Sequence, residues 1–244
     1  MRKHGFVSAF RRSFGSVLAA ALALATIPSL AEPPSVEDLP INEIEAVRDG
    51  DWLAIIVTGD GGWAGLAKTV GQSLAERGIE VVGLNALRYF WQAKTPEQAA
   101  ADLDRLVGAY LGQTRRSRVV VIGYSFGADV LPFMVNRLPA ATRERVATIA
   151  LIGLSSTAEF EFHIGSWLGH NGEGRPVLPE VERLSGKPLV CIYGADETDS
   201  LCPSLPEDST TIVQLPGNHH YDRDYEALAD AIWTRLPGSE RDDP

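Results

Sequence analysis

"VVVIGYSFGAD", Val119 to Asp129, holds the most informative turn in the chain. An apolar run ends at Gly123, presents Ser125, and meets Gly127 two residues later. The next residues, "ADVLPFMVN", have helical character in spite of Pro132. A serine between two glycines at a strand-to-helix junction is the pattern of a nucleophile elbow, G-x-S-x-G. The glycines are required there because side chains would strike the neighbouring strand and helix. An ordinary tight turn has the same five-residue pattern, so the surroundings have to decide.

Apolar strands and amphipathic helices alternate on both sides of this turn. "WLAIIVTG" (Trp52–Gly59), "GIEVVGLN" (Gly78–Asn85), "SRVVVIGY" (Ser117–Tyr124), "RVATIALIGL" (Arg145–Leu154), "KPLVCIYG" (Lys187–Gly194) and "STTIVQLPG" (Ser209–Gly217) read as strands. Leu66, Val70 and Leu74 share one helical face, and Thr95-Pro96 opens a second helix as N-cap and first residue. Strands that are apolar throughout belong to a mostly parallel sheet covered by helices on both faces. The segment Pro33–Ala46 is an N-terminal arm, expected to supply an edge strand. Residues 155–186 break the rhythm and are expected to form part of a small lid.

In such a sheet the reactive groups gather beyond the carboxyl ends of the strands. Ser125 sits at one such end. A serine needs a base, and the base an orienting acid, in the chain order serine, acid, histidine. The fifth strand is followed by "ADETDSLCP", Ala195–Pro203, and the sixth by "NHHYD", Asn218–Asp222. Asp196, Glu197 and Asp199 compete for the acid, and Asp199 is preferred because it stands four residues before Pro203 in a D-x-x-x-P loop. His219 and His220 compete for the base. His219 is preferred because Tyr221 follows it by two, as in a G-H-x-F arrangement. The oxyanion donors are expected from the backbone N–H of Phe126 and from the loop "TGDGGW", Thr58–Trp63, at Asp60.

The ends of the chain supply context. Arg2, Lys3, Arg11 and Arg12 precede an apolar run, Val17–Ile27, which closes on Ser29-Leu30-Ala31. Basic head, short apolar run and small-residue exit make residues 1–31 a signal peptide, by either the general or the twin-arginine route. Residues 32–244 are then a single exported domain. Removing those four basic residues leaves 18 basic against 32 acidic, a formal charge of −14. So acidic a surface disfavours nucleic acid. Cys191 and Cys202 lie eleven positions apart in the exported part and are expected to be bridged. No spacing of histidines or thiolates suggests a metal, and no glycine fingerprint suggests a nucleotide, so no cofactor is expected.

Several stretches carry a resemblance to one family: "TGDGGW", "LRYFW" (Leu87–Trp91), "GYSFGADVLPF" (Gly123–Phe133), "EFEFH" (Glu159–His163), "DSLCP" (Asp199–Pro203) and "HHYDRDY" (His219–Tyr225). Together they resemble the VirJ/AcvB family of bacterial virulence proteins across the mature chain, in its short form. The resemblance implies a periplasmic enzyme of the α/β-hydrolase fold that cleaves the aminoacyl ester of an aminoacylated phospholipid such as lysyl-phosphatidylglycerol. It also implies a link to type IV secretion components. A broader carboxylesterase or thioesterase, and a secretion assembly factor on a hydrolase scaffold, are the competing readings. Against such a substrate, Asp60, Asp129, Glu159, Glu161, Asp196 and Glu197 are candidates to hold amines, and Arg88 to meet the phosphate. Tyr89, Phe90, Trp91, Phe160, Phe162 and Trp167 are candidates to line the mouth and meet acyl chains or a membrane interface.

Overall fold

The computed structural model describes residues 1, 33–162, 174–184 and 186–239. The chain divides into two units, Met1–Glu32 and Pro33–Pro244, and everything below concerns the second. Almost all of the expected signal peptide lies outside the described residues.

Seven strands form one sheet in the order β1-β3-β2-β4-β5-β8-β9. They are β1 (Ile41–Ile44), β2 (Trp52–Val57), β3 (Glu80–Leu84), β4 (Arg118–Tyr124), β5 (Val146–Ile152), β8 (Leu189–Gly194) and β9 (Thr211–Leu215). Only β1, from the N-terminal arm, runs antiparallel, against β3. All other neighbours are parallel. The six expected core strands are all present, each a little shorter than its apolar run.

Each central strand faces two cores, which is why it is apolar at every position. In β2, Leu53, Ile55 and Val57 join one cluster with Leu103 and Leu106 of α3 (Pro96–Gln113) and Leu131 of α4 (Phe126–Asn136). Trp52, Ala54 and Ile56 join the other, with Val70 and Leu74 of α1 (Gly65–Glu76) and Leu228 and Ile232 of α7 (Tyr225–Trp233). The Thr95 N-cap of α3 forms a full capping box with Gln98, with Pro96 just inside it. Helix α4 continues through Pro132. Two short helices, α2 (Ala86–Tyr89) and α5 (Ala140–Arg145), complete the connections between these strands.

The expected lid over 155–186 lies only partly within the described residues, because 163–173 and 185 fall outside them. Its described parts are a two-stranded antiparallel ladder, β6 (Thr157–Ala158) with β7 (Arg175–Pro176), and a short helix, α6 (Leu178–Glu182). Among the described residues no helix is long and apolar enough to cross a membrane.

Candidate active site

Ser125 links β4 to α4 with φ 54° and ψ −122°. A non-glycine residue rarely adopts this backbone, and such strain persists only where the surroundings enforce it. Two close approaches enforce it here. A Cβ on Gly123 would lie 2.6 Å from the carbonyl oxygen of Gly127, and one on Gly127 would lie 2.1 Å from that of Val57. Both glycines of the motif are therefore required for the reason expected from sequence. The Ser125 N–H donates to the Ile152 carbonyl at 2.8 Å, which ties the turn to the end of β5. Its own carbonyl accepts from Ala128 and Asp129 N–H at 2.7 and 3.1 Å. Phe126 N–H, at the start of α4 where an anion is favoured, donates to no backbone carbonyl among the described residues.

The histidine loop follows β9. Nδ1 of His219 donates to Oε1 of Glu197. Oε2 of Glu197 accepts from the Gly194 N–H at 2.7 Å, and the Glu197 N–H donates to the Gly194 carbonyl at 2.9 Å. The glutamate side chain is only 6% exposed, against 35% for His219. Burial opposes its ionisation, but the hydrogen bonds from His219, Gly194 N–H and Tyr221 outweigh it, so its pKa lies below the ordinary glutamate range. An anionic, buried carboxylate on Nδ1 leaves Nε2 as the free, basic nitrogen of the ring.

This corrects the preferred acid. The carboxylate on the histidine belongs to Glu197, not to Asp199, and not to the alternative Asp196 either. β8 ends at Gly194, and the tight turn closed by Glu197 on that residue folds its side chain inward. Asp196 donates its N–H to the Gly217 carbonyl at 2.9 Å and is exposed, as is Asp199. The D-x-x-x-P spacing pointed two residues too far along the loop. Between the histidines, His219 holds the acid. His220 is exposed, its N–H donating to Oδ1 of Asn218 and its Nδ1 lying 3.4 Å from the Tyr124 hydroxyl.

Several groups fix the His219 ring beside the serine turn. Tyr124, the residue before Ser125, stacks on it with centroids 5.4 Å apart, and its hydroxyl donates to the His219 carbonyl at 3.3 Å. Burial, with smaller effects from Tyr225, Asp60 and Glu197, holds the Tyr124 phenol far above its usual pKa, so it stays a donor. Gly153, at the end of β5, has φ 64°, and a Cβ there would fall 2.5 Å from Cε1 of His219. Among the described residues, the non-glycine residues with positive φ are Ser125, Tyr221, Asp222 and Arg223, all in the serine and histidine loops. Backbone strain is therefore concentrated at this edge of the sheet.

The loop 58–63 also lies against the serine. A Cβ on Gly59 would be 3.1 Å from Cβ of Ser125. Thr58, buried, accepts from Ala86 N–H at 2.9 Å and donates to the Gly59 carbonyl at 3.1 Å, which fixes the loop's exit. Asp60 follows directly, half-exposed, near enough for its charge to bear on Tyr124.

Other expected residues sort differently. Tyr89 is buried, and its hydroxyl donates to Oδ2 of Asp102 at 2.6 Å, so it is a packing residue rather than part of the mouth. Phe90 and Phe160 are likewise core. Arg88 is exposed on α2, and Glu159 and Glu161 are half-buried in the loop after β6. Trp167 and His163 lie outside the described residues. Asp129 stands out more than sequence suggested. It sits one turn into α4, accepts from the Ser155 N–H at 2.7 Å, and has its pKa pushed well up by burial, with the nearby Asp199 carboxylate adding to the effect. Cys191 of β8 and Cys202 are bonded to each other and bracket the loop that carries Glu197. Among the described residues no group of acids, histidines and cysteines has a metal-binding arrangement.

The fold is that of known hydrolases. Est1E from Butyrivibrio proteoclasticus superposes with a TM-score of 0.57 at 12% identity, covering 82% of this chain and 94% of that one. MenH from S. aureus gives 0.59 at 9% identity, covering 82% and 98%. An α/β serine hydrolase without lid from Xanthomonas campestris gives 0.52 at 19% identity, covering 81% and 88%. These likenesses establish the α/β-hydrolase fold and, at such identities, nothing finer. No curated protein sequence matches the chain. Residues 51–240 match the family described as "Bacterial virulence protein (VirJ)". With that match spanning every strand of the sheet but β1, the serine turn and both later loops, the chain belongs to the VirJ family of bacterial virulence proteins.

Proposed function

We propose that this protein is a periplasmic serine hydrolase that cleaves the aminoacyl ester of an aminoacylated phospholipid, with Ser125, His219 and Glu197 as its triad. The observation that carries the reading is the buried Glu197 carboxylate on Nδ1 of His219, beside a serine held at φ 54°. In the first step Nε2 of His219 takes the Ser125 hydroxyl proton while Oγ attacks the ester carbonyl. The imidazolium is stabilised by Glu197. The oxyanion of the tetrahedral intermediate is met by the Phe126 N–H and by the backbone of the Gly59–Asp60 loop. Collapse expels the lipid glycerol hydroxyl, which takes its proton from His219. Water, deprotonated by the same nitrogen, then attacks the acyl-enzyme and releases the amino acid and free Ser125.

Two further features support the substrate class. Asp129, one turn into the nucleophile helix, accepts from the Ser155 N–H at 2.7 Å and has its pKa raised chiefly by burial, with a smaller contribution from the Asp199 charge, and a cation reaching it would favour its ionised form. The Cys191–Cys202 bond suits an oxidising compartment. A fluorophosphonate probe, followed by peptide mass spectrometry, tests the nucleophile. The expected adduct is on Ser125 and is lost in His219→Ala. An adduct elsewhere, or none, contradicts the reading.

A further inference from the structure

Trp91 is 57% exposed, in contrast to the buried aromatics around it. Its ring stacks on Phe162, with centroids 6.3 Å apart and planes 21° apart. The pair rests on a rigid base. Phe162 N–H donates to the Phe90 carbonyl at 2.8 Å, and Lys94 N–H to the Phe160 carbonyl at 2.9 Å, so the two loops are stitched together. Phe90 is fully buried and packs its ring 5.0 Å from that of Phe126, the residue after the nucleophile. The exposed stack is thus two packed residues away from the reacting serine. A shallow depression beside it is lined in part by Arg88, Trp91 and Lys94.

Arg77, Arg105, Arg116 and Arg137 are each held by carboxylates. Arg88 is exposed, and its side chain makes no ion pair with a described residue. The Lys94 ammonium lies over the Tyr89 ring at 5.1 Å. The two acids of the same depression, Asp38 and Asp102, are both engaged by Arg105. A mature chain with 18 basic and 32 acidic residues is repelled by an anionic bilayer over most of its surface. Where cations stand beside an exposed indole, the balance reverses, since indole rings favour the headgroup region and basic residues favour anionic lipid.

From this juxtaposition we infer that the Trp91–Phe162 stack, with Arg88 and Lys94, docks the protein on an anionic phospholipid surface and so brings Ser125 to a headgroup ester. The inference rests on the lipid reading of the active site, but it is tested apart from it. The measurement is co-sedimentation of the mature protein with vesicles of phosphatidylcholine, with and without phosphatidylglycerol, alongside hydrolysis of a short water-soluble aminoacyl ester.

The wild type is expected to bind the phosphatidylglycerol vesicles more tightly, and less so at high salt. Trp91→Ser should weaken binding to both vesicle types by about tenfold and leave soluble-ester turnover unchanged. Arg88→Gln should remove most of the preference for phosphatidylglycerol. Wild-type binding that is absent, or unaltered in Trp91→Ser, overturns the inference. If soluble ester is cleaved without vesicle binding, docking fails and the hydrolase stands. Vesicle binding without any ester cleavage has the opposite meaning.

Discussion

Glu197 and His219 stand 22 residues apart in the chain and are joined through Oε1 and Nδ1, with the second glutamate oxygen fixed on the Gly194 N–H at 2.7 Å. The acid is therefore locked at both oxygens, one by the base it orients and one by the strand end that carries it. Asp199, the residue that spacing favours, has no such anchor. The two acids can be told apart by isosteric changes. Glu197→Gln should lower kcat on an uncharged acyl ester by about 10³- to 10⁴-fold, the scale seen when a triad acid loses its charge. Asp199→Asn should stay within about tenfold on an uncharged acyl ester. Steady-state kinetics of both variants on one substrate decides it, and the reverse order of severity would return the role to Asp199.

The strain at Ser125 predicts an activity–stability trade. Ser125→Gly removes the nucleophile and also the Cβ that makes φ 54° costly. It should be inactive yet more stable than wild type, by about 1 kcal/mol, as read in a urea melt. Ser125→Ala should be equally inactive, with stability close to wild type. A glycine variant less stable than wild type would mean that the turn is not strained.

Two carboxyls at the site should respond to pH in opposite senses. Glu197 has a lowered folded pKa, so its contribution to stability is fully present above the ordinary glutamate value and is lost as pH falls through the lowered one. Asp129 has a raised folded pKa, so it costs nothing while protonated in both states. Its cost appears as pH rises above the ordinary aspartate value and grows up to the folded one. Asp129→Asn should therefore leave stability unchanged or raised at pH 7, with a flatter stability profile between mildly acidic and neutral pH. The same variant should lose about tenfold to a hundredfold of any preference for a lysyl over an uncharged acyl ester, if its carboxyl meets the ammonium. Melts across pH, paired with kcat/KM on the two esters, check both halves.

The bond between Cys191 and Cys202 closes a loop of eleven positions around Glu197. Both cysteines are fully buried, so the double change to alanine avoids a buried hydroxyl. It should cost about 2–3 kcal/mol of stability and lower kcat further than stability alone explains, because the acid loop is what the bond confines. Equal activity of oxidised and reduced wild type at a temperature where both are folded would contradict the second half.

Much of this was legible in the sequence because it rests on local pattern. Continuous apolar runs such as Val119–Ile122 identify strands with two buried faces, and Gly123 and Gly127 identify close backbone approach. The acid was harder. Three carboxylates within Asp196–Asp199 share a loop, and only the turn that Glu197 closes on Gly194 decides which one faces inward. Burial likewise separates Tyr89 and Phe90 from Trp91, three adjacent aromatics that composition cannot distinguish. The weight of Asp129 was hidden for the same reason: its carboxyl is unusual only because α4 carries it beneath Ser155.

The most direct test of the account uses the mature protein and vesicles containing lysyl-phosphatidylglycerol, with released lysine measured over time. Wild type should liberate lysine and leave phosphatidylglycerol, Ser125→Ala and His219→Ala should fall to background, and Glu197→Gln should lie close to them. Lysine release by Ser125→Ala at the wild-type rate, or none by the wild type while it still cleaves simple esters, would contradict the account.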